Sequence, residues 1–220
     1  MSWSELGPLL WQGTLDTLYM TLWASVIAYL IGLPLGVLLV VTRKGHIMAA
    51  PSFNAVLGVI TNFLRSIPFI IMLALLFPVT RVVMGTAIGT RSIIFPLVVS
   101  AFPYVARMVE GSLEEVDGGI LEAAQSMGST NWQIIWKVLL PEAVPSLING
   151  AAISVTTILG YTAMASAAGG GGLGSIAIVS GLNIRKFDVM YSASLLLVIL
   201  VQIITVMGTR VTRGLDHKKR

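Results

Sequence analysis

One polar stretch interrupts an otherwise apolar chain, and its sequence from Asp117 to Pro145 is DGGILEAAQSMGSTNWQIIWKVLLPEAVP. Its first residue is placed to cap a short helix, and Gly128 is placed to end that helix. Thr130 and Gln133 have the spacing of a capping box, so a second helix is expected to begin there and to end at Pro141. The stretch therefore predicts a helix, a glycine turn and a second helix.

Both predicted helices are apolar on one side, as the helical repeat of their residues indicates. The apolar positions are Ile120, Ala124 and Met127 in the first helix and Ile134, Ile135, Val138 and Leu139 in the second. An apolar face on a polar loop is typical of a contact with another protein. The alternative is that this face packs on the protein's own spans.

The composition excludes an ordinary soluble domain. Of the 220 residues, 55% are hydrophobic and 11% are charged, whereas a soluble domain has about 25% charged residues. The net charge is +4, and the basic residues lie at the edges of apolar runs, which is typical of membrane topology rather than nucleic-acid binding. The absence of cysteine excludes disulfides and thiol catalysis. The chain is therefore predicted to be an all-α polytopic membrane protein with one domain over residues 1–220.

Five transmembrane helices are predicted from runs without charge, compared with the ~20 residues that span a bilayer. Their approximate bounds are 15–42, 54–79, 88–108, 143–168 and 189–210, with a cytoplasmic loop over 110–141. The second and third runs are short and contain prolines, so a re-entrant pair is the alternative there. Residues 169–174 are expected to form a glycine turn, after which residues 176–182 fold against the rim.

The first predicted span carries a stripe of small residues. Ala28, Gly32 and Gly36 recur every four residues, so they share one face of the helix. Small residues at this spacing allow two helices to approach closely within a membrane. The stripe therefore predicts a close helix contact.

The distribution of lysine and arginine predicts the orientation. One side of the five-span arrangement carries Arg43, Lys44, Arg107, Lys137, Arg210, Arg213, Lys218, Lys219 and Arg220. The other side carries Arg81, Arg91, Arg185 and Lys186. The positive-inside rule then places the amino terminus outside and the carboxyl tail and the polar stretch in the cytoplasm. The basic tail over 210–220 is expected to lie on anionic lipid.

Several motifs of soluble proteins match only in spacing. The glycine-rich residues 169–174 have the spacing of a dinucleotide-binding loop, but they follow a span rather than a strand. Ser175 stands where a phosphate-binding loop needs a lysine, so any ATP must be bound by a partner. The polar stretch also imitates a DNA-binding helix-turn-helix, but its second helix offers Lys137 alone as a cation. His46 and His217 lack the neighbouring ligands of a zinc site, so no metal, cofactor, nucleic acid or catalytic residue is predicted for this chain.

The polar stretch resembles the EAA loop of ABC-importer permeases, whose pattern is Glu-Ala-Ala, three residues, Gly, nine residues, Ile-x-Leu-Pro. The matching residues are Glu122, Ala123, Ala124, Gly128, Val138, Leu140 and Pro141. Only Val138 departs from the pattern, because it stands where isoleucine is usual. The chain is also similar, along nearly its whole length, to the permeases of methionine importers. The segments that carry this similarity are residues 65–69, 106–110, 137–143, 160–164 and 171–174.

This resemblance implies a fold like that of type I ABC importers and a homodimer in the bacterial inner membrane. It implies two cytoplasmic ATPase subunits, which hold ATP and Mg, and an extracytoplasmic methionine-binding lipoprotein. The chain would then be a transport subunit and not an enzyme, and the matching residues would couple it to the ATPase. L-methionine is the expected substrate, with D-methionine as a further candidate. A permease for another amino acid or small solute, or a stand-alone secondary transporter, is the alternative.

Four residues are candidates for the substrate pathway. Tyr161, Met164 and Ser166 lie in and just after the fourth predicted span and offer a soft lining with few hydrogen bonds. Arg65 is expected in the inner third of a continuous helix over 54–79, where an isolated cation is costly and often functional. The alternatives for Arg65 are snorkelling to the interface or a fixed ion pair.

Overall fold

The computed structural model describes residues 3–215, and within that range it contains helices and no strands. The long helices are α1 (Trp3–Val41), α2 (Pro51–Ser66), α3 (Phe69–Met84), α4 (Thr90–Glu114), α6 (Asn131–Met164) and α8 (Phe187–Leu215). The short helices are α5 (Gly118–Ser126) and α7 (Gly172–Asn183). Residues 216–220 of the basic tail lie outside the described residues.

The all-α membrane architecture is confirmed. Four of the described helices, α1, α4, α6 and α8, are long and apolar enough to cross a membrane. Helices α2 and α3 bring the number to five if this bent pair forms one span. The helices form a bundle with two ends. We call the end with residues 42–50 and 115–130 the loop end, and the end with residues 169–171 the glycine end.

The predicted continuous helix over 54–79 is wrong. Helix α2 ends at Ser66, α3 begins at Phe69, and the two helices are bent by 101°. Pro68 lacks an N–H group and forces the residue before it out of the helical region. Accordingly, Ile67 is extended, with φ −79° and ψ 120°. Arg65 therefore lies in the last turn of α2 and not within an unbroken span.

The predicted helix end at Pro141 is also wrong. The chain is helical from Asn131 to Met164, with a π-helical turn over Ile135–Leu139 just before the proline. In this turn the N–H of Leu140 donates to the carbonyl of Ile135, five residues back. The wider turn lets the helix continue past a residue that lacks an N–H group. The second helix of the polar stretch and the fourth span are thus one element, α6.

The small-residue stripe of α1 makes the predicted close contact, and its partner is α4. Ala28 is fully buried. A Cβ placed on Gly32 would lie 2.7 Å from Cγ1 of Val105, and one on Gly36 would lie 2.6 Å from the carbonyl oxygen of Ala106. No side chain fits between the two backbones at these points, so the small residues set how closely the helices pack.

The glycine turn is confirmed over residues 169–171, whereas residues 172–174, which were predicted to belong to it, begin helix α7. After α6, a 3-10 turn over Ala165–Ala168 leads to Gly169, which has φ +71°. The carbonyl of Gly169 accepts from the N–H of Gly89 at 3.1 Å, which ties the turn to the start of α4. The hydroxyl of Thr17 accepts from the N–H of Leu173 at 2.9 Å, which ties α7 to α1. The glycine end is therefore held by a backbone–backbone hydrogen bond and by a hydrogen bond from a backbone N–H to a side chain.

The close helix contact can be tested by filling it. Gly36→Leu places a large side chain against the α4 backbone, so we expect it to lower the free energy of unfolding by roughly 1–3 kcal/mol. Thermal unfolding of the detergent-purified protein measures this change. Gly111→Leu is the matched control, because a Cβ at Gly111 meets nothing within 4 Å. Equal stability of the two variants would contradict the role of the stripe.

Candidate functional site

The local structure of the polar stretch follows its capping residues as predicted. The Oδ1 atom of Asp117 accepts from the N–H of Gly119 at 2.7 Å, which caps α5. Thr130 and Gln133 form the capping box at the start of α6. Gly128, between the helices, has φ +79°, whereas a Cβ there would meet nothing within 4 Å. Glycine is therefore required here by the backbone conformation and not by lack of space.

Most of the apolar face assigned to a partner contact is instead packed on the protein's own spans, and only its residues Ile120 and Met127 are exposed. Ile134 is fully buried, Ala124 is 9% exposed, and both belong to the main hydrophobic core. Val138 is half-buried and packs against that core. The helical repeat identified this face correctly as apolar, but most of its contact is internal.

Two exposed tryptophans join Ile120 and Met127 at this end of the molecule. The coupling face, as we call it, consists of Ile120, Met127, Trp132 and Trp136, which are 40%, 86%, 68% and 54% exposed. The two indole rings pack edge to face with their centroids 5.6 Å apart. Neither tryptophan was predicted as a contact residue, although their spacing of four residues is a signal that they share a helix face.

The tryptophans lie beyond the membrane-spanning part of α6. A Cβ on Gly150 would lie 3.4 Å from Oγ of Ser112, so Gly150 is level with the last turns of α4. Trp136 precedes Gly150 by 14 positions, which is roughly 20 Å of helix. The tryptophan pair therefore lies toward the loop end, beyond the last turns of α4.

The residues that match the EAA pattern differ in exposure. Glu122, Ala123, Gly128 and Pro141 are exposed, Val138 and Leu140 are half-buried, and Ala124 is buried. The exposed residues are available to a partner, whereas Ala124 and its neighbours anchor the segment to the bundle. The predicted set thus combines exposed residues with residues that pack on the bundle.

A cavity of about 450 Å³ separates α5 from the end of the bundle. Its lining residues are Val40, Arg43, Gly45, His46, Ile47, Leu113, Glu114, Val116, Gly118, Leu121, Glu122 and Gln125. The Nδ1 atom of His46 is buried and has no hydrogen-bond partner within the described chain. Burial first, and the nearby Arg43 second, lower the pKa of His46. The imidazole is therefore held in its neutral form at neutral pH.

Four charged residues form a network beside this cavity. Arg107 contacts the carboxylate of Glu110 at 2.5 Å and also donates to the carbonyl of Gly58 in α2 at 3.0 Å. Arg43, just after α1, lies 2.6 Å from Glu114 and 3.6 Å from Glu110. The Glu110 side chain is only 8% exposed. We call Arg43, Arg107, Glu110 and Glu114 the charge network; only the spacing of Arg107 and Glu110 was visible as a signal in the sequence.

The four predicted pathway residues are not gathered into one lining. Tyr161 stacks on Phe69 with centroids 4.8 Å apart and an interplanar angle of 3°. Ser166 is buried, whereas Met164 is 50% exposed. Arg65 is exposed, and its guanidinium makes no hydrogen bond or ion pair within residues 3–215, so the fixed ion pair considered for it is absent there.

One face of α6 is exposed along the span. Its exposed residues are Asn149, Ile153, Gly160 and Met164, at spacings of four, seven and four. These spacings place all four on one side of a helix. An exposed amide within a span is unfavourable against lipid and is typical of a wet cavity or a helix contact. Met164 is the one predicted pathway residue on this face.

Comparison with known proteins agrees with this architecture. Residues 32–220 match the family described as "Binding-protein-dependent transport system inner membrane component". The chain belongs to this family. It is therefore a multi-pass protein of the inner membrane and a transport component, as predicted.

Two relatives are close in sequence. The chain is 45% identical to the probable D-methionine transport system permease protein MetI of Pasteurella multocida, over 97% of this chain and 100% of that protein. It is 48% identical to the D-methionine transport system permease protein MetI of Escherichia coli, over 71% of this chain and 74% of that protein. The resemblance recognised in the sequence is thereby confirmed.

Solved structures match the fold of the whole chain. An inward-facing structure of the MetNI methionine ABC transporter matches with a TM-score of 0.96 and 46% identity, over 99% of this chain and 100% of that chain. An amino acid ABC transporter matches with a TM-score of 0.79 at 21% identity, which shows a shared fold alone. The chain therefore has the predicted importer fold.

Proposed function

We propose that this chain is the permease subunit of an ATP-driven importer and forms the path by which methionine enters the cytoplasm. The observation that carries this proposal is the match, over 99% of the chain, to a methionine ABC transporter in its inward-facing form. L-methionine is the principal substrate, and the names of the relatives add D-methionine. The chain itself binds no cofactor, and ATP and Mg are held by a partner ATPase.

The direct test is uptake in proteoliposomes that contain this chain, its ATPase and its binding protein. We expect ATP-dependent accumulation of labelled methionine, and we expect both unlabelled enantiomers of methionine to compete with it. If the proteoliposomes took up a different amino acid with ATP and did not take up methionine, the proposed substrate would be wrong. If uptake needed an ion gradient and no ATPase, the chain would be a secondary transporter and not an ABC permease.

The functional unit in this proposal contains two copies of the chain, two ATPase subunits and an extracytoplasmic binding lipoprotein. The family description, a binding-protein-dependent system, supports the last of these partners. The exposed face of α6 supports the second copy, because Asn149 avoids lipid if two such faces enclose a wet pathway. The loop end then faces the cytoplasm, as the basic residues there indicate.

The coupling face is the proposed contact with the ATPase. It is apolar, exposed, and beyond the membrane-spanning part of α6, so its burial against a protein partner is favourable. Glu122 and Ala123 are exposed on α5, the helix that carries Ile120, and they add a charged and a small residue to the proposed contact. When the two ATPase subunits close on ATP, they move α5 and the start of α6, and the spans follow as rigid bodies.

Loss of the tryptophan anchor is expected to weaken docking. Trp132→Ala removes a side chain that is 68% exposed at the coupling face, and such anchors typically contribute 2 kcal/mol or more, about a 30-fold change in affinity. Co-purification of the ATPase with the detergent-solubilised permease measures this loss. Trp23→Ala is the matched control, because Trp23 is 47% exposed in the middle of α1. Full ATPase recovery with Trp132→Ala would remove the tryptophan from the contact.

The turn at Gly128 is expected to hold the two parts of the coupling segment in place. Gly128→Val strains a backbone at φ +79°, at a cost of roughly 1–2 kcal/mol, whereas asparagine tolerates this conformation. We expect Gly128→Val to reach the membrane but to lose substrate-stimulated ATP hydrolysis, and Gly128→Asn to retain most of it. Normal stimulation in Gly128→Val would contradict this role.

The substrate pathway is proposed along the exposed face of α6, near Met164, with Arg65, Tyr161 and Ser166 as further candidates. Met164→Ala shortens an exposed side chain on this face, so we expect a changed rate or selectivity of methionine uptake. Met207→Ala, at a 62% exposed position of α8, is the matched control. A Met164→Ala permease with the rate and selectivity of the wild type would exclude Met164 from the pathway.

A further inference from the structure

The charge network joins three helices through one buried carboxylate. Glu110 in α4 lies 2.5 Å from Arg107 and 3.6 Å from Arg43, which follows α1. Arg107 in turn donates to the carbonyl of Gly58 in α2 at 3.0 Å. Because the side chains of Glu110 and Arg107 are 8% and 20% exposed, their ion pair is shielded from water and salt. The loop ends of α1, α2 and α4 therefore share one electrostatic centre.

Removal of the central charge would leave its partners poorly satisfied. Arg107 is 20% exposed, and its Nε atom already has no hydrogen-bond partner in the described chain. Without the carboxylate of Glu110, Arg107 would retain only the Gly58 carbonyl. A buried charge is costly when its partner is removed, so the pair is held in one geometry.

A second tie joins α2 to α1 at the same level. The Nδ2 atom of Asn54 donates to the carbonyl of Leu39 at 2.6 Å and to the hydroxyl of Thr42 at 3.0 Å. These contacts satisfy polar groups at the end of α1, where helix carbonyls lack partners within the helix. Together with the charge network, they make the loop ends of α1, α2 and α4 a single block.

This block lies directly beside the moving part of the proposed coupling segment. Arg43 and Glu114 line the cavity together with Leu121 and Glu122 of α5. Glu114 is the last residue of α4, and three residues, 115–117, separate it from α5. A displacement of α5 must therefore either close the cavity or move the end of α4.

We propose that Glu110 and Arg43 are positioning residues that transmit the movement of the coupling segment to α1 and α2. A displacement of α5 moves Glu114 and the end of α4. Arg43 contacts both acids, and Arg107 holds α2, so the three helices move together. This inference rests on the proposed ATP-driven function, and it assigns transmission to residues outside the EAA pattern.

The test is the ratio of uptake to ATP hydrolysis, measured in the same proteoliposomes with the ATPase and the binding protein. We expect Glu110→Gln to hydrolyse ATP near the wild-type rate, while methionine uptake per ATP falls about tenfold, within the usual range of coupling free energies. Glu115→Gln is the matched control, because it makes the same change at an exposed position one residue after α4. An unchanged ratio in Glu110→Gln would overturn the proposal, and so would an equal loss of uptake and hydrolysis.

Variants of Arg43 keep the test decisive if Glu110→Gln does not assemble. Arg43 is 54% exposed, so its variants disturb folding less. Arg43→Gln removes the ion pairs with both acids and should lower the ratio, whereas Arg43→Lys keeps the charge and should retain more of it. An unchanged ratio in Arg43→Gln would overturn the proposal. Absence of ATP-dependent uptake in the wild type would instead reject the proposed function itself.

Discussion

The close contact between α1 and α4 is the constraint on which the other parts of the structure depend. The positions that face each other rise together along both helices, from Gly32 opposite Val105 to Gly36 opposite Val109, so the two helices are parallel. The remaining elements attach to this pair. Helix α6 meets α4 at Gly150, and α7 is bound to α1 through Thr17. With bulkier residues in the stripe, the two backbones would separate and each attachment would lose one of its supports.

The sequence was most informative where structure is decided locally. Charge-free runs predicted the spans because the bilayer sets their length. The caps at Asp117 and Thr130 formed as expected, since each involves residues two or three positions apart. The sequence also contains the signal for the bend after α2, because a proline at position 68 disfavours a helical conformation at Ile67. The continuous helix over 54–79 was predicted from hydropathy alone, which does not register this signal. At Pro141 the opposite error occurred: a helix end was predicted, but the helix continues because a π-helical turn accommodates the proline.

The candidate site was harder to predict because hydrophobicity does not say which partner covers a side chain. Ile134 and Trp132 are both apolar and lie two positions apart, yet the first is fully buried and the second is 68% exposed. Their difference depends on the angle at which α6 meets the bundle. The charge network has the same difficulty, because Arg43 and Gly58 come from parts of the chain far from Glu110. Tyr161 appeared available within its span, and only the packing of α3 shows that Phe69 covers it.

The π-helical turn in α6 fixes how the two ends of that helix are oriented about its axis. One extra residue in a helical turn rotates everything before it by about 100° relative to everything after it. Trp132 and Trp136 precede the shifted hydrogen bond between Leu140 and Ile135, whereas the exposed stripe from Asn149 to Met164 follows it. A protein with one residue fewer in this turn would have almost the same composition and the same membrane-spanning segments. Its tryptophans would point to a different side of the bundle, so the length of this single turn sets the direction in which a partner can approach.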